Sequence, residues 1–196
     1  MHFTLNGIKK TYDGDPELPL LTYLREQENI LSPKDGCAPQ AACGCCVVEL
    51  NKHAVLSCVI PMKKVANGEV TTIEGLAEKT QDTFAKAFLA KGGVQCGFCI
   101  PGIVMQGKVL LDKNPHPTRE EVQKALTPNL CRCTGYKKIE DAILCAAEAV
   151  KDGQEIQTGR PNGKIGERLP KYDSYDVVLG RRPFVCDMKF ADMLYS

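Results

Sequence analysis

Four cysteines in the middle of the chain constrain its fold more than any other feature. Cys96 and Cys99 are separated by a glycine and a phenylalanine, and a second pair, Cys131 and Cys133, follows after 31 residues. Thiolates bind zinc or the iron of iron–sulfur clusters, and a close pair lets one short loop serve one metal atom. The spacing predicts a four-cysteine metal site built from two loops.

A second cysteine group lies upstream, with the spacing Cys37-x5-Cys43-x2-Cys46-x11-Cys58. It is one residue longer in its first gap than the plant-type ferredoxin spacing C-x4-C-x2-C. Cys45 lies inside the x2 gap and is an alternative ligand. The pattern predicts a second metal site on a separate scaffold.

The composition bounds the class of protein. A chain of 196 residues suggests two small domains. The N-terminus lacks the features of a signal peptide, and no apolar run is long enough to span a membrane. We therefore expect a cytoplasmic protein, in which eleven cysteines favour metal sites over disulfides. A net charge of +1 argues against charge-driven binding of nucleic acid.

Hydrophobic periodicity and turn residues predict an α+β fold in two domains. Residues 1–76 carry two hairpins, predicted over 2–12 around an Asn6–Gly7 turn and over 46–58, with a helix over 18–26 and a last strand over 70–73. Residues 77–155 carry four helices. The first is predicted over 83–91, capped by Asp82 and ended by Gly92, and the others run from Pro101 to about Asn114, from the Thr118 capping box onward, and over 137–151. The second set predicts a compact four-helix bundle. Residues 156–196 are predicted to be a polar linker and then an apolar segment.

Zinc is the main alternative to iron–sulfur clusters, since C-x2-C pairs are common in zinc ribbons. Against zinc, a C-x-C pair is unusual as a zinc motif, and no histidine lies at ligand spacing to either group. Free thiols and disulfides remain a further alternative. The sequence contains no nucleophile–base pair and no glycine-rich phosphate loop, which favours electron transfer over bond chemistry. Cys145 and Cys186 are predicted to be ordinary small residues.

Three motifs together resemble the iron–sulfur portion of the molybdenum hydroxylases, the family of xanthine dehydrogenase and aldehyde oxidoreductase. They are Cys-Gly-x-Cys at 43–46, Gln-Cys-Gly-Phe-Cys-x-Pro-Gly at 95–102, and Cys-Arg-Cys-Thr-Gly-Tyr at 131–136. The resemblance covers residues 2–155. It implies a β-grasp ferredoxin-like domain followed by a helical domain, each holding one [2Fe-2S] cluster. The implied ligands are Cys37, Cys43, Cys46 and Cys58 for the first cluster, and Cys96, Cys99, Cys131 and Cys133 for the second.

The resemblance also implies a role in electron transfer. Gln95 and Cys133 would contact a molybdopterin cofactor bound mainly by another domain or subunit. Electrons would pass from the molybdenum through both clusters to a flavin or an external acceptor. The implied partners are a molybdenum-binding domain or subunit and a flavin subunit, within a larger dimeric complex. The segment from Leu179 to Tyr195 is similar to the start of a molybdenum-binding domain, so 156–196 would be that start or a docking tail.

The first cysteine loop departs from the family pattern. The gap between Cys37 and Cys43 is Ala-Pro-Gln-Ala-Ala, which contains no glycine. Pro39 lacks a backbone N–H and fixes φ, so fewer amides are available to approach the sulfur atoms. The sequence leaves open whether Cys45 replaces a ligand there.

Overall fold

The computed structural model describes residues 1–153, 155–158, 164–167 and 169–194. Gly159, Pro161 and Gly163 of the predicted linker, and Tyr195 and Ser196 at the C-terminus, lie outside the described residues. The remainder forms a mixed structure of one sheet and six α-helices.

The five-stranded sheet forms the N-terminal part of the chain. Its strands are β1 (His2–Leu5), β2 (Ile8–Thr11), β3 (Val47–Leu50), β4 (His53–Leu56) and β5 (Glu69–Thr71). The spatial order is β2-β1-β5-β3-β4, with β1 parallel to β5 and the other pairs antiparallel. This confirms both predicted hairpins and the last strand, with ends shifted by one or two residues.

The two hairpin turns use residues with positive φ, as two-residue turns between twisted strands require. Asn6 and Gly7 have φ of 50° and 79°, and Asn51 and Lys52 have φ of 50° and 65°. The short helix α1 (Leu20–Thr22) follows Pro19 and continues as a π-helical turn over Tyr23–Gln27. Its apolar side chains cover one face of the sheet. The core there consists of Phe3, Leu5, Tyr12, Leu20, Tyr23, Leu24, Val48, Met62, Val65 and Val70.

The second part of the chain is helical. It contains α2 (Glu78–Lys91), α3 (Ile100–Lys113), α4 (Arg119–Ala125) and α5 (Lys137–Asp152). The predicted capping box is present, because Thr118 Oγ1 accepts from Glu121 N while Glu121 accepts from Thr118 N. Gly92 ends α2 in the left-handed region, as predicted. The finer description as a four-helix bundle stays a prediction.

The predicted start of α2 is wrong. The helix begins at Glu78 rather than after Asp82, and its N-cap residue, Ala77, makes no side-chain capping bond. Asp82 instead lies inside the helix, where its carboxylate pairs with Lys86 at 2.8 Å and accepts from Tyr175 Oη. A tertiary contact has thus taken the side chain that the sequence assigned to capping.

The two parts share an interface in which α3 packs against β3 and β4. The backbone comes very close there, since a Cβ on Gly102 would lie 2.5 Å from the carbonyl oxygen of Gly44. Lys108 on α3 forms an ion pair with Glu49 on β3, and Glu49 is only 7% exposed. The cysteine loops of both parts lie beside this interface.

Part of the apolar C-terminal segment packs back onto the chain itself. Helix α6 (Ser174–Val178) lies against α2 and α3, and Val177, Val178 and Leu179 are buried. A Cβ on Gly97 would lie 1.9 Å from Val177 Cγ1, so only glycine fits beneath this helix. Phe190 and Leu194, farther along, are exposed.

A buried ion pair fixes the segment after α6. Asp187, in a 3-10 turn over Val185–Asp187, contacts Lys34 at 2.5 Å and Arg25 at 2.8 Å. The side chains of Lys34 and Asp187 are both 0% exposed. Phe184 packs edge-to-face on Phe98, with ring centroids 5.2 Å apart. Across the part of the chain that the structure describes, no helix is long and apolar enough to span a membrane.

Candidate iron–sulfur sites

The first cysteine loop directs backbone amides at Cys37 despite the proline in its gap. The amide of Gln40 donates to Cys37 Sγ at 3.3 Å. The N–H of Ala42, followed by that of Gln40, lowers the pKa of the Cys37 thiol. The loop achieves this turn with Ala38 and Ala41, each at a φ of 54°. Alanine thus occupies the left-handed conformations for which the sequence suggested that glycine was needed.

The four predicted thiols of this group lie near one another. Burial and the neighbouring Cys37 both raise the pKa of the Cys43 thiol, and Cys46 shares a buried cluster with Cys58. Cys58 belongs to the 3-10 turn Ser57–Val59 that follows β4. Burial, with the neighbouring Cys46, raises the pKa of the Cys58 thiol to about 12. A buried thiol with such a pKa ionises only when a cation compensates its charge, as a metal ion does.

Cys45 is buried beside Cys43. Its Sγ lies 3.8 Å from the carbonyl oxygen of Cys43, and both side chains belong to the core of the helical part. A Cβ on Gly36 would lie 3.1 Å from Cys43 Sγ, 3.3 Å from Cys45 Sγ and 3.1 Å from a Phe98 ring carbon, so both sulfur atoms lie near Phe98. Burial raises the pKa of the Cys45 thiol above its usual range.

The second cysteine group is assembled by the loops that precede α3 and α5. Cys133 Sγ lies 3.5 Å from Cys96 Sγ, and Cys99 and Cys131 belong to the same buried cluster, where burial and the neighbouring Cys131 raise the pKa of Cys99. Cys131 Sγ is also 3.1 Å from Thr134 Oγ1. Burial acts to raise the pKa of Cys131, but hydrogen bonds from Thr134 and the amides of Cys133 and Thr134 outweigh it and lower the pKa. Burial raises the pKa of Cys99 and the neighbouring Cys96 raises that of Cys133, so among these three the protein favours the thiolate only at Cys131.

One side of the second group faces solvent and the other faces the sheet domain. Cys96 and Cys133 are exposed, whereas Cys99 and Cys131 are buried. Gln95, next to Cys96, is exposed as well. The exposed pair is where an external group could approach the site.

The convergence of four thiols in each group fits a two-iron cluster, which takes four thiolates. Among the residues given above as described, no three His, Cys, Asp or Glu side chains are close enough together to hold a single metal ion. A zinc site takes four ligands in one tetrahedron. A [2Fe-2S] cluster would take two thiolates of a group on each iron, and the assignment of individual ligands stays a prediction.

Two residues near these sites have roles that sequence reasoning missed. The Tyr136 hydroxyl accepts from Cys131 N at 2.8 Å and donates to Asn129 O at 3.1 Å. Asn129, 3% exposed, donates from Nδ2 to the carbonyl oxygen of Gly44 at 3.0 Å. Tyr136 was visible only as part of a motif, and a single asparagine before Cys131 carries no signal that it will reach the other domain.

Comparison with known families matches both parts of the chain. A model described as "2Fe-2S iron-sulfur cluster binding domain" matches residues 3–72, and one described as "[2Fe-2S] binding domain" matches residues 72–144. The nicotinate dehydrogenase small FeS subunit of Eubacterium barkeri is 40% identical over 149 residues, which cover 76% of this chain and 94% of that subunit. The chain belongs to the iron–sulfur family of the molybdenum hydroxylases. It is an electron-transfer iron–sulfur module, and the family resemblance inferred from the motifs is confirmed.

Other members of the molybdenum hydroxylase family carry this module within longer chains. Aldehyde oxidoreductase of Megalodesulfovibrio gigas is 38% identical over 195 residues, which are 94% of this chain but 21% of that protein. The solved aldehyde oxidoreductase from Desulfovibrio gigas superposes with a TM-score of 0.88 at 35% identity, over 95% of this chain and 22% of that one. Quinoline 2-oxidoreductase from Pseudomonas putida 86 gives a TM-score of 0.71 at 33% identity, over 78% of this chain and 96% of the matched chain. The chain thus spans about a fifth of the aldehyde oxidoreductases.

Proposed function

We propose that this module holds its two [2Fe-2S] clusters with the two cysteine quartets and relays single electrons between them. Cys37, Cys43, Cys46 and Cys58 would hold the first cluster, and Cys96, Cys99, Cys131 and Cys133 the second. The observation that carries the proposal is the convergence of the thiols in each group, seen in the 3.5 Å contact of Cys96 with Cys133 and in the buried clusters that the other thiols join. The proposed set takes Cys46 rather than the neighbouring Cys45, because Cys46 shares a buried cluster with Cys58.

We propose that electrons enter at the second cluster from a molybdopterin cofactor on a molybdenum-binding partner. Gln95 and Cys133 are both exposed, and the sulfur atom of Cys96, the residue after Gln95, lies 3.5 Å from that of Cys133. An amide and a sulfur atom are therefore available at the surface to contact a pterin. Hydroxylation of a substrate at the molybdenum of the partner would supply the electrons. The residues of this chain would bind the second cluster and orient it, with the Cys96 and Cys133 edge toward the partner and the Cys99 and Cys131 edge toward the sheet domain.

The first cluster is the proposed exit for electrons. Cys37 is half-buried, and the residues from Ala38 to Ala42 form an exposed loop over it, so an acceptor can approach. A flavin subunit or an external acceptor would take the electron there. The larger assembly is proposed to be cytoplasmic and dimeric.

The finer fold assignment belongs to the same proposal. The strand order β2-β1-β5-β3-β4 supports a β-grasp domain over residues 1–76, and the helices support a four-helix bundle over 77–155. Residues 156–196 would lead into a molybdenum-binding domain or form a docking tail. Exposed Phe190 and Leu194 give this segment apolar contacts to offer to a partner.

The test is an anaerobic absorbance and EPR spectrum with iron and sulfide counted per chain. Two distinguishable reduced [2Fe-2S] signals are expected. Cys46→Ser should remove or alter one signal and Cys99→Ser the other, whereas Cys145→Ser, on α5, should leave both unchanged. A colourless protein containing zinc would refute the electron-relay function. Loss of the first signal in Cys45→Ser, but not in Cys46→Ser, would refute the ligand set.

A further inference from the structure

The segment Asn129–Cys131 connects the two cysteine groups directly. The N–H of Leu130 donates to the carbonyl oxygen of Cys43 at 2.8 Å. Leu130 is bonded covalently to Cys131. A continuous connection therefore runs from the Cys43 thiol along its backbone, across one hydrogen bond, and through one peptide to the Cys131 thiol.

Asn129 holds this connection from its other side. Its Nδ2 donates to Gly44 O at 3.0 Å, so adjacent carbonyls of the first cysteine loop both accept from adjacent residues of the helical part. The orientation of the amide is fixed, because an oxygen turned toward Gly44 O could not donate. Asn129 Oδ1, in contrast, has no hydrogen-bond partner among the described residues. Burying a half-paired amide costs stability, so Asn129 is better explained by its bond to Gly44 than by core packing.

The backbone on both sides is shaped for this contact. Gly44 has a φ of 66°, and a Cβ there would lie 2.4 Å from Pro128 O and 2.9 Å from Asn129 Cα. The Tyr136 hydroxyl bridges Asn129 O and Cys131 N, at 3.1 and 2.8 Å. Tyr136 itself has a φ of 68°, which is strained for an aromatic residue. The network thus fixes the last two residues before Cys131.

We propose that Asn129 is a positioning residue for electron transfer between the two clusters, acting by holding the Leu130 N–H against the carbonyl oxygen of Cys43. In the step concerned, one electron leaves the reduced second cluster and enters the oxidised first cluster. No atom is transferred and no bond is broken. Electronic coupling through a hydrogen bond falls steeply as the bond lengthens, so loosening this bond slows the step. This inference rests on the proposed relay function.

The experiment uses the full chain with both clusters in place and compares Asn129→Ala and Tyr136→Phe with Asn114→Ala. Asn114 is a matched control, because it makes local bonds to Glu121 and His116 in the same helical part, away from the cysteine loops. The readouts are iron per chain, the magnetic interaction between the two reduced clusters by EPR, the rate of electron equilibration between clusters after photoreduction, and hydrogen exchange at the Leu130 amide.

Asn129→Ala is expected to keep both clusters, to slow equilibration several-fold, to weaken the EPR interaction and to speed exchange of the Leu130 amide. Tyr136→Phe should act in the same direction, and Asn114→Ala should match the wild type in all four readouts. Tyr136→Phe provides the test if Asn129→Ala loses a cluster. The positioning role would be overturned by a variant that keeps both clusters and exchanges its Leu130 amide fast, yet shows the electron-equilibration rate and the EPR interaction of the wild type. Absence of equilibration in the wild type itself would refute the relay function instead.

Discussion

Removing the charge of Asp187 should destabilise the folded chain far more than an ordinary surface substitution. Asp187 contacts Lys34 at 2.5 Å and Arg25 at 2.8 Å, and it accepts from Phe184 N at 2.8 Å. Lys34 and Asp187 have no solvent-exposed side-chain surface. Asp187→Asn keeps the shape but leaves the Lys34 ammonium buried without its counter-charge.

The expected loss in the free energy of unfolding is about 3–5 kcal/mol, the cost of breaking a buried ion pair by removing one partner. Most of that cost is the uncompensated charge rather than the lost attraction. Lys34→Met together with Asp187→Asn removes both charges, and the double variant should therefore be more stable than Asp187→Asn alone. The two substitutions are expected to be strongly non-additive.

Chemical denaturation of the cluster-loaded chain measures this loss, and limited proteolysis after α6 shows whether the C-terminal segment has detached. Glu26→Gln is the control, because Glu26 pairs with Lys189 of the same segment while both side chains are about half exposed. Its effect should stay within about 0–1 kcal/mol. A loss below about 1 kcal/mol for Asp187→Asn, or additive behaviour of the double variant, would refute the reasoning.

Three further predictions concern packing, acid and capping. Gly97→Ala should cost about 1–3 kcal/mol and release α6 to proteolysis, because its Cβ would overlap Val177; unchanged protection would contradict this. Burial acts to raise the pKa of Asp187, but bonds from Lys34, the Phe184 amide and Arg25 outweigh it and lower the pKa. The stability that this carboxylate contributes is therefore present above the usual Asp pKa of about 3.9, and it is lost as pH falls through the lower pKa of the folded state. The difference in unfolding free energy between wild type and Asp187→Asn should accordingly shrink in acid. A difference that stays constant across a pH series of denaturation experiments would contradict this prediction. Thr118→Ala should cost about 0.5–2 kcal/mol by thermal unfolding, since it removes the capping bond to Glu121, and no loss would mean that α4 is held by packing alone.

Local signals in the sequence were sufficient for most of the elements. The Asn6–Gly7 turn and the Thr118 capping box are local devices, and the structure contains both. The cysteine motifs identified the family, because each motif holds its thiols within a few residues. The start of α2 was wrong because Asp82 is suited to capping by its chemistry, yet the structure uses it in contacts with Lys86 and Tyr175.

The sequence by itself determined the family, the two cysteine groups and the order along the chain of the five strands and of the helices up to α5, since these depend on residues near one another in the chain. Helix α6 was not predicted. Only the tertiary structure decided that Cys45 packs toward Phe98, that Asn129 bonds Gly44, and that Asp187 neutralises Lys34. The partners in the last two contacts are 85 and 153 residues apart. Such contacts form because buried polar groups require hydrogen-bond or ionic partners, and the packing of the whole chain decides which partners lie within reach.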